Sequence, residues 1–236
     1  MRIAIATDAW APQVNGVVTT LGQIRDELIS QRHDVCMITP AGRRTIPCPT
    51  YPEIRLALFA GRSIGRELDA FQPDCIHIAT EGTIGLAVRR YCIKRGLPFT
   101  TAYHTQFPEY VRARFPIPVS FTVWLLRWFH GRATRTMVPT KSIARLMIGR
   151  GFKNVVIWTR GVRTEVFKPD DPLDYALPRP IWIYIGRVAV EKNIEEFLKL
   201  DLGGSKIVIG DGPDRARLTG LYDDTRFLGY KFGREL

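Results

Sequence analysis

The chain is 236 residues long, 45% hydrophobic and 24% charged, the make-up of a soluble globular protein with room for a sizeable core. No stretch approaches the roughly 18 apolar residues of a spanning helix, and "MRIAIATDAW" enters an alternating strand where a signal peptide would carry its apolar core, so cytoplasmic residence is expected. The net charge of +11 is concentrated in residues 1–170, with 24 basic against 12 acidic side chains; no Asp or Glu interrupts the eleven Lys and Arg between Glu109 and Glu165, a one-signed field that calls for phosphates, nucleic acid or a membrane surface as partner.

In chain order, "RIAIA" (2–6) predicts a strand, followed by a loop and a helix from about Val17 to Ser30. Strands follow at "DVCMIT" (34–39), "PDCIHIA" (73–79) and "PFTTAYH" (98–104), with a helix near 83–95 between the last two. "TRTMVPT" and "KNVVIWT" read as two more strands enclosing the helix "KSIARLMIGRG". Short apolar runs bounded by Pro, Gly or Asp are expected of strands covered on both faces. Their alternation with helices predicts an α/β fold with a Rossmann-like doubly wound parallel sheet. Residues 163–180, with four prolines and no period, mark a linker. Beyond it the pattern restarts with "IWIYIG", "NIEEFLKL", "SKIVIG", "DRARLTGLY" and "TRFLGY", the start of a second Rossmann-like domain. The expected division is a domain over 1–165, a linker over 166–180 and an incomplete domain over 181–236. The four cysteines, Cys36, Cys48, Cys75 and Cys92, form no CxxC pair, and the histidines sit at no metal-ligand spacing. Buried free thiols and no metal site are therefore expected.

Doubly wound sheets bind ligands at the carboxyl ends of their strands, and four loops stand out there. "TDAWAPQVNGVVTTL" presents Asp8 and then Asn15-Gly16 directly before a helix. Glycine there lets backbone N–H groups approach a phosphate or sugar, although an ordinary turn with an N-cap is the alternative, and no GxGxxG fingerprint is present. "TTAYHTQFPEY" places His104, Thr105 and Gln106 at a strand end, as a polar site or as structure. Glu81-Gly82 opens a helix, where the helix dipole alone favours an acid. "IYIGRVAVEKN" ends a strand with Gly186 and Arg187 and sets Lys192 before Asn193, a suitable N-cap. Arg187 and Lys192 fit a diphosphate; solvated pairs with Glu191 or Glu195 are the other reading. "GDGPDR", with Asp211 and Gly212, repeats the theme after the next strand.

Read in order, "APQVNGVVTTL", "YHTQFPEY", "VPTKS", "TRGVRTEVFKP", "IGRVAVEKN", "GDGP" and "RFLGY" resemble the retaining glycosyltransferases of family 4, two-domain enzymes of the GT-B type, along the whole chain. The likeness is nearest to GDP-mannose-dependent α-mannosyltransferases and to the sulfoquinovosyl- and glucosyltransferases of glycolipid synthesis. It implies transfer of a hexose, foremost mannose from GDP-mannose, with retention to a lipid or glycan acceptor; a UDP-sugar-dependent glycolipid transferase is the alternative. Donor binding would fall to Asn15, Gly16, Gly161, Gly186, Arg187, Lys192, Asp211 and Gly212. His104, Arg187 and Lys192 would be catalytic, and Asp8, Glu81, Thr105 and Gln106 would face the acceptor. "GVR" stands where the family commonly has "GVD". The resemblance also implies a metal-independent reaction without cofactors, because fixed cations can neutralise the leaving diphosphate. The family's paired-glutamate motif does not follow "RFLGY", so a C-terminally truncated chain is expected, with an inactive binding module as the competing function.

Within "FTVWLLRWFHGRATR", positions 121, 124, 125, 128 and 129 share one helical face beside Arg127, Arg132 and Arg135. Packing of that stripe into the core is one expectation. The other lays the region peripherally on an anionic bilayer, on the cytoplasmic face, as a lipid-linked acceptor would require. Nucleic acid is not the expected partner, because no motif for it is present.

Overall fold

A computed structural model describes residues 1–48, 51–104, 117–168 and 176–236. The described residues form two compact units, Met1–Arg160 and Gly161–Leu236. The expected linker thus falls within the second unit, and part of it, 169–175, lies outside the described residues.

The first unit is built on a parallel sheet of β1 (Arg2–Ala6), β2 (Asp34–Ile38), β5 (Cys75–Ile78), β6 (Thr100–Ala102), β7 (Arg135–Val138) and β8 (Val155–Ile157). Its spatial order is β2-β1-β5-β6-β7-β8. β1 is sandwiched in register, Ile3 opposite both Val35 and Cys75. Alternate β1 side chains enter different clusters. Ala4 and Ala6 pack with Ile64, Leu68, Ile84 and Val88, while Ile3 and Ile5 pack with Leu21, Ile24 and Leu28. That is why β1 reads as a continuous apolar run: both faces are covered.

Helices α1 (Gly16–Ser30), α2 (Gly61–Phe71), α3 (Thr83–Arg95), α4 (Val119–His130) and α5 (Lys141–Gly149) supply those covers. Asn15 caps α1, its side chain accepting from the Val17 and Val18 amides, and Thr140 caps α5 through the Ile143 amide. α3 closes on Gly96 at φ 65°, a left-handed position that suits glycine.

Three features depart from the expectations. An antiparallel β3–β4 pair (Thr45–Cys48 and Tyr51–Ala57) and α2 occupy a stretch where no element was expected, and Pro47 lies in a strand outside the central sheet. α4 turns the other way. It buries Thr122, Leu126, Phe129 and His130, and leaves Phe121, Trp124, Leu125 and Trp128 exposed at 55%, 58%, 39% and 47%. Of the stripe expected in the core, only Phe129 is inside. Cys92 is buried as expected and its thiol is pushed up to about 12 by burial, but Cys75 is exposed.

The second unit has a three-stranded parallel sheet in the order β11-β10-β9 (Thr225–Gly229, Ser205–Ile209, Ile181–Ile185). α6 (Ile194–Leu198) and α7 (Arg215–Leu221) pack Ile194, Leu198 and Leu218 against Val208. Lys206, 7% exposed in the central strand, is satisfied by the Leu198 and Leu200 carbonyls and by Asp224 at 2.8 Å.

Candidate active site

In the first unit the sheet grows in opposite directions from β1, with β2 on one side and β5 on the other. The loops after β1 and β5 therefore flank the topological switch point. Asp8 follows β1 and is 4% exposed. Its carboxylate accepts from the Ile84 amide at 2.9 Å, the Gly85 amide at 3.4 Å, and the Thr80 and Thr83 hydroxyls at 2.9 and 3.1 Å. Burial pushes this carboxyl above its usual value, and the same hydrogen bonds pull it back. Asp8 is thus the N-terminal anchor of α3, and its oxygens are committed to Thr80 and to the first turn of that helix. Gly82 is required here, because a Cβ on it would lie 2.4 Å from the Asp8 Cγ.

Glu81, beside that anchor, meets Nε2 of the fully buried His130 at 3.2 Å; His130 Nδ1 in turn meets the Thr101 hydroxyl at 2.9 Å. The carboxylate the sequence offered to an acceptor is held from behind by a histidine that sequence reasoning passed over. Asn15 commits its oxygen to the α1 amides and its Nδ2 to Gln13 at 3.3 Å. Gly16 is different: it is exposed, and a Cβ built on it meets nothing within 4 Å. Internal packing therefore places no demand for glycine at this helix start.

The carboxyl ends of β6 and β8 bring together a second group. Tyr103 continues the β6 ladder through its amide to Met137 O, and Trp158 continues β8 through its amide to Val138 O. His104 and Arg160 follow these residues on either side of β7. Arg160 Nη2 lies 2.8 Å from His104 Nδ1. Trp158 meets both the His77 and His104 rings edge-on, at centroid distances of 6.1 and 6.3 Å. Both imidazoles are pushed down to about 4, His77 by burial and His104 by burial, then Arg160 and His77. The Nε2 atoms of both are buried and have no hydrogen-bond partner among the described residues. His77 and Arg160 were missed from sequence. Period-2 alternation in "CIHI" and the place of Arg160 directly before Gly161 were the available signals. Thr105 and Gln106 lie outside the described residues.

In the second unit, the loops after β9 and β10 lock together through glycine. Val188 N donates to Asp211 O at 3.0 Å, and Asp214 N to Val188 O at 3.2 Å. A Cβ on Gly210 would fall 1.9 Å from Gly186 O, and one on Gly212 would fall 2.1 Å from Val188 O. Asp211 braces the second loop, accepting from the Gly212 amide and from Arg215, each at 2.7 Å. On this base sit Arg187, half-buried, and Lys192, exposed at the end of a short 3-10 turn (Val190–Lys192). Asn193 is not the expected N-cap: it adopts φ 48° and its side chain makes no cap bond. Glu195, one of the two acids considered as a partner for Arg187 or Lys192, pairs with Arg217 at 3.1 Å. Gly161 is exposed in open space.

Two Rossmann-like units, one with a polar rim at its strand ends and the other with a cationic glycine-braced loop, match the GT-B fold. HepE of Anabaena in complex with UDP-glucose superposes with a TM-score of 0.64 at 12% identity, covering 98% of this chain and 70% of that one, a likeness of fold. A glycosyltransferase of avilamycin A biosynthesis superposes with a TM-score of 0.55 at 17% identity, covering 98% and 64%. Residues 14–166 match Glycosyltransferase Family 4, and the chain belongs to that family. It is 28% identical to a GDP-mannose-dependent alpha-mannosyltransferase of Mycobacterium tuberculosis, over 100% of this chain and 69% of that protein. It is 29% identical to a sulfoquinovosyl transferase of Arabidopsis thaliana, over 87% and 42%. An alpha-monoglucosyldiacylglycerol synthase of Acholeplasma laidlawii is 27% identical, over 98% and 68%.

Proposed function

We propose that this glycosyltransferase transfers mannose from GDP-mannose, with retention of configuration, to a lipid or glycan acceptor. The observation that carries the reading is the similarity of three GDP-mannose-dependent alpha-mannosyltransferases along the whole of this chain. Chemistry supports it. As the glycosidic bond to the leaving nucleotide breaks, negative charge builds on the β-phosphate. Arg187 and Lys192, carried by the loop that packs against Gly210 and Gly212, would stabilise that charge. These side chains supply the neutralisation, so we take the reaction to need no bound metal, and EDTA should leave transfer unchanged. A ligand at ten times its Kd stabilises the folded state by about 1.4 kcal/mol. GDP-mannose should therefore raise the melting temperature, and Arg187→Ala should abolish the rise. A larger rise with UDP-glucose would replace mannose transfer by the UDP-sugar reading, which the similarity to a glucolipid synthase favours. No response to either nucleotide sugar would sink both.

For the acceptor, the exposed face of α4 supports a lipid-bearing surface on the cytoplasmic side of a membrane. No helix among the described residues is long and apolar enough to cross a membrane, so the contact would be peripheral. Phe121 and Trp124 stack at 5.9 Å, and the Trp128 ring is backed by the buried Arg89 guanidinium, 3.9 Å from its centroid. Trp124, Arg127, Trp128 and Lys153 line a concavity of about 390 Å³. Aromatic rings beside cations suit the interface of an anionic bilayer. Flotation with phosphatidylglycerol vesicles should recover the protein at low salt, less of it at high salt, and little of the double variant Trp124→Ala/Trp128→Ala. Equal recovery with neutral vesicles would refute this surface.

A further inference from the structure

The contact between Arg160 and His104 restricts the imidazole more than its distance alone suggests. A guanidinium has five N–H donors and no acceptor. At 2.8 Å from Arg160 Nη2, His104 Nδ1 is therefore the acceptor and carries no hydrogen. A neutral imidazole bears one hydrogen, so it resides on Nε2. That is the buried nitrogen without a hydrogen-bond partner among the described residues. Trp158 lies edge-on to the ring, at an interplanar angle of 60°.

We propose that Arg160 is a positioning residue that fixes His104 as its Nε2–H tautomer and so presets it as a neutral, single hydrogen-bond donor. The role of the donated hydrogen rests on the proposed sugar transfer: Nε2–H would meet an oxygen of the transferring sugar. The tautomer itself does not depend on that reading.

The architecture explains why arginine serves here. β6 and β8 are separated by β7, so the segments that follow them stand about 10 Å apart at the usual strand spacing. A long side chain is needed to span that gap, and a fixed planar donor fork sets direction as well as reach. Among the described residues, the charged group facing His104 is Arg160, and the titratable neighbour on the next strand is His77, whose Nδ1 is engaged by the Thr100 hydroxyl at 2.9 Å. Neither stabilises a second proton on His104. A doubly protonated ring would set two donors against each other at Nδ1.

The chain has four histidines, so side-chain 15N–1H correlation spectra can be resolved residue by residue, with His104→Gln identifying the His104 signals. At pH 7 the expected pattern is an unprotonated, pyridine-type Nδ1 and a protonated, pyrrole-type Nε2. Arg160→Met should move both nitrogens toward exchange-averaged positions, and Arg160→Lys, which keeps a cationic donor without the planar fork, should return them part of the way. A wild-type Nδ1–H tautomer, or a pattern unchanged in Arg160→Met, overturns the proposal. The reading of sugar transfer is judged separately by the GDP-mannose response, which can fail while the tautomer stands.

Discussion

Replacing Asp8 by alanine tests how the switch point is held. The substitution removes the acceptor of the Ile84 and Gly85 amides, which are buried at the first turn of α3. Each buried donor left without a partner costs about 1–3 kcal/mol. Ile84 at 2.9 Å belongs near the top of that range and Gly85 at 3.4 Å near the bottom. A total of about 3–4 kcal/mol follows, because the Thr80 and Thr83 hydroxyls can rotate to other acceptors. Asp8→Asn keeps one oxygen for Ile84 and should cost only about 1–2 kcal/mol. Amide hydrogen exchange reads the effect locally and is not confused by separate unfolding of the second unit. Ile84 and Gly85 should exchange at least 100-fold faster in Asp8→Ala, by the usual factor of ten per 1.4 kcal/mol, and Asp8→Asn should fall between the two. If both amides in Asp8→Ala exchange within threefold of wild type, Asp8 is not the anchor of α3 and the reasoning is wrong.

Both His77 and His104 have folded values of about 4 against 6.5, so between those limits the unfolded chain binds more protons. Stability of the first unit should therefore rise with pH from about 4 to 6.5 and level off above it, by at most about 3 kcal/mol per histidine and less where water reaches the rings. Denaturant midpoints that stay flat from pH 4.5 to 7 would contradict this. Gly16→Ala, built into open space at a helix start, should change stability by under about 0.5 kcal/mol yet weaken GDP-mannose binding several-fold in a titration. Gly212→Ala should abolish that binding by forcing the Val188 carbonyl aside, with the exchange rates of first-unit amides unchanged. Normal donor affinity in Gly212→Ala would detach the glycine brace from function.

The element order was legible wherever one period dominated. β1 is apolar throughout because both faces are covered, and "NG" before an amphipathic run announced α1 with its cap. The β3–β4 pair was illegible because prolines interrupt it and its two strands pair with each other outside the central sheet, whereas the apolar face of α2, Ile64 and Leu68, was legible and passed over. α4 shows the limit most plainly. It carries an apolar face, 121/124/125/128, and a mixed one, Thr122/Leu126/Phe129/His130, and periodicity favoured the first although the second is buried.

Chain order and local spacing by themselves determined a doubly wound sheet, a restart after a proline-rich stretch, and loops bearing Asp8, Glu81, His104, Arg187 and Lys192 at strand ends. Those features are local, set by side-chain period, glycine and proline. Tertiary structure decided what each group is free to do. It committed Asp8 to α3, put His130 behind Glu81, and brought Arg160 to His104 across β7, residues 56 apart in the chain. Hydrogen bonds between such distant residues depend on which strands become neighbours. That order is chosen by burial over the whole sheet, and no short stretch of sequence records it.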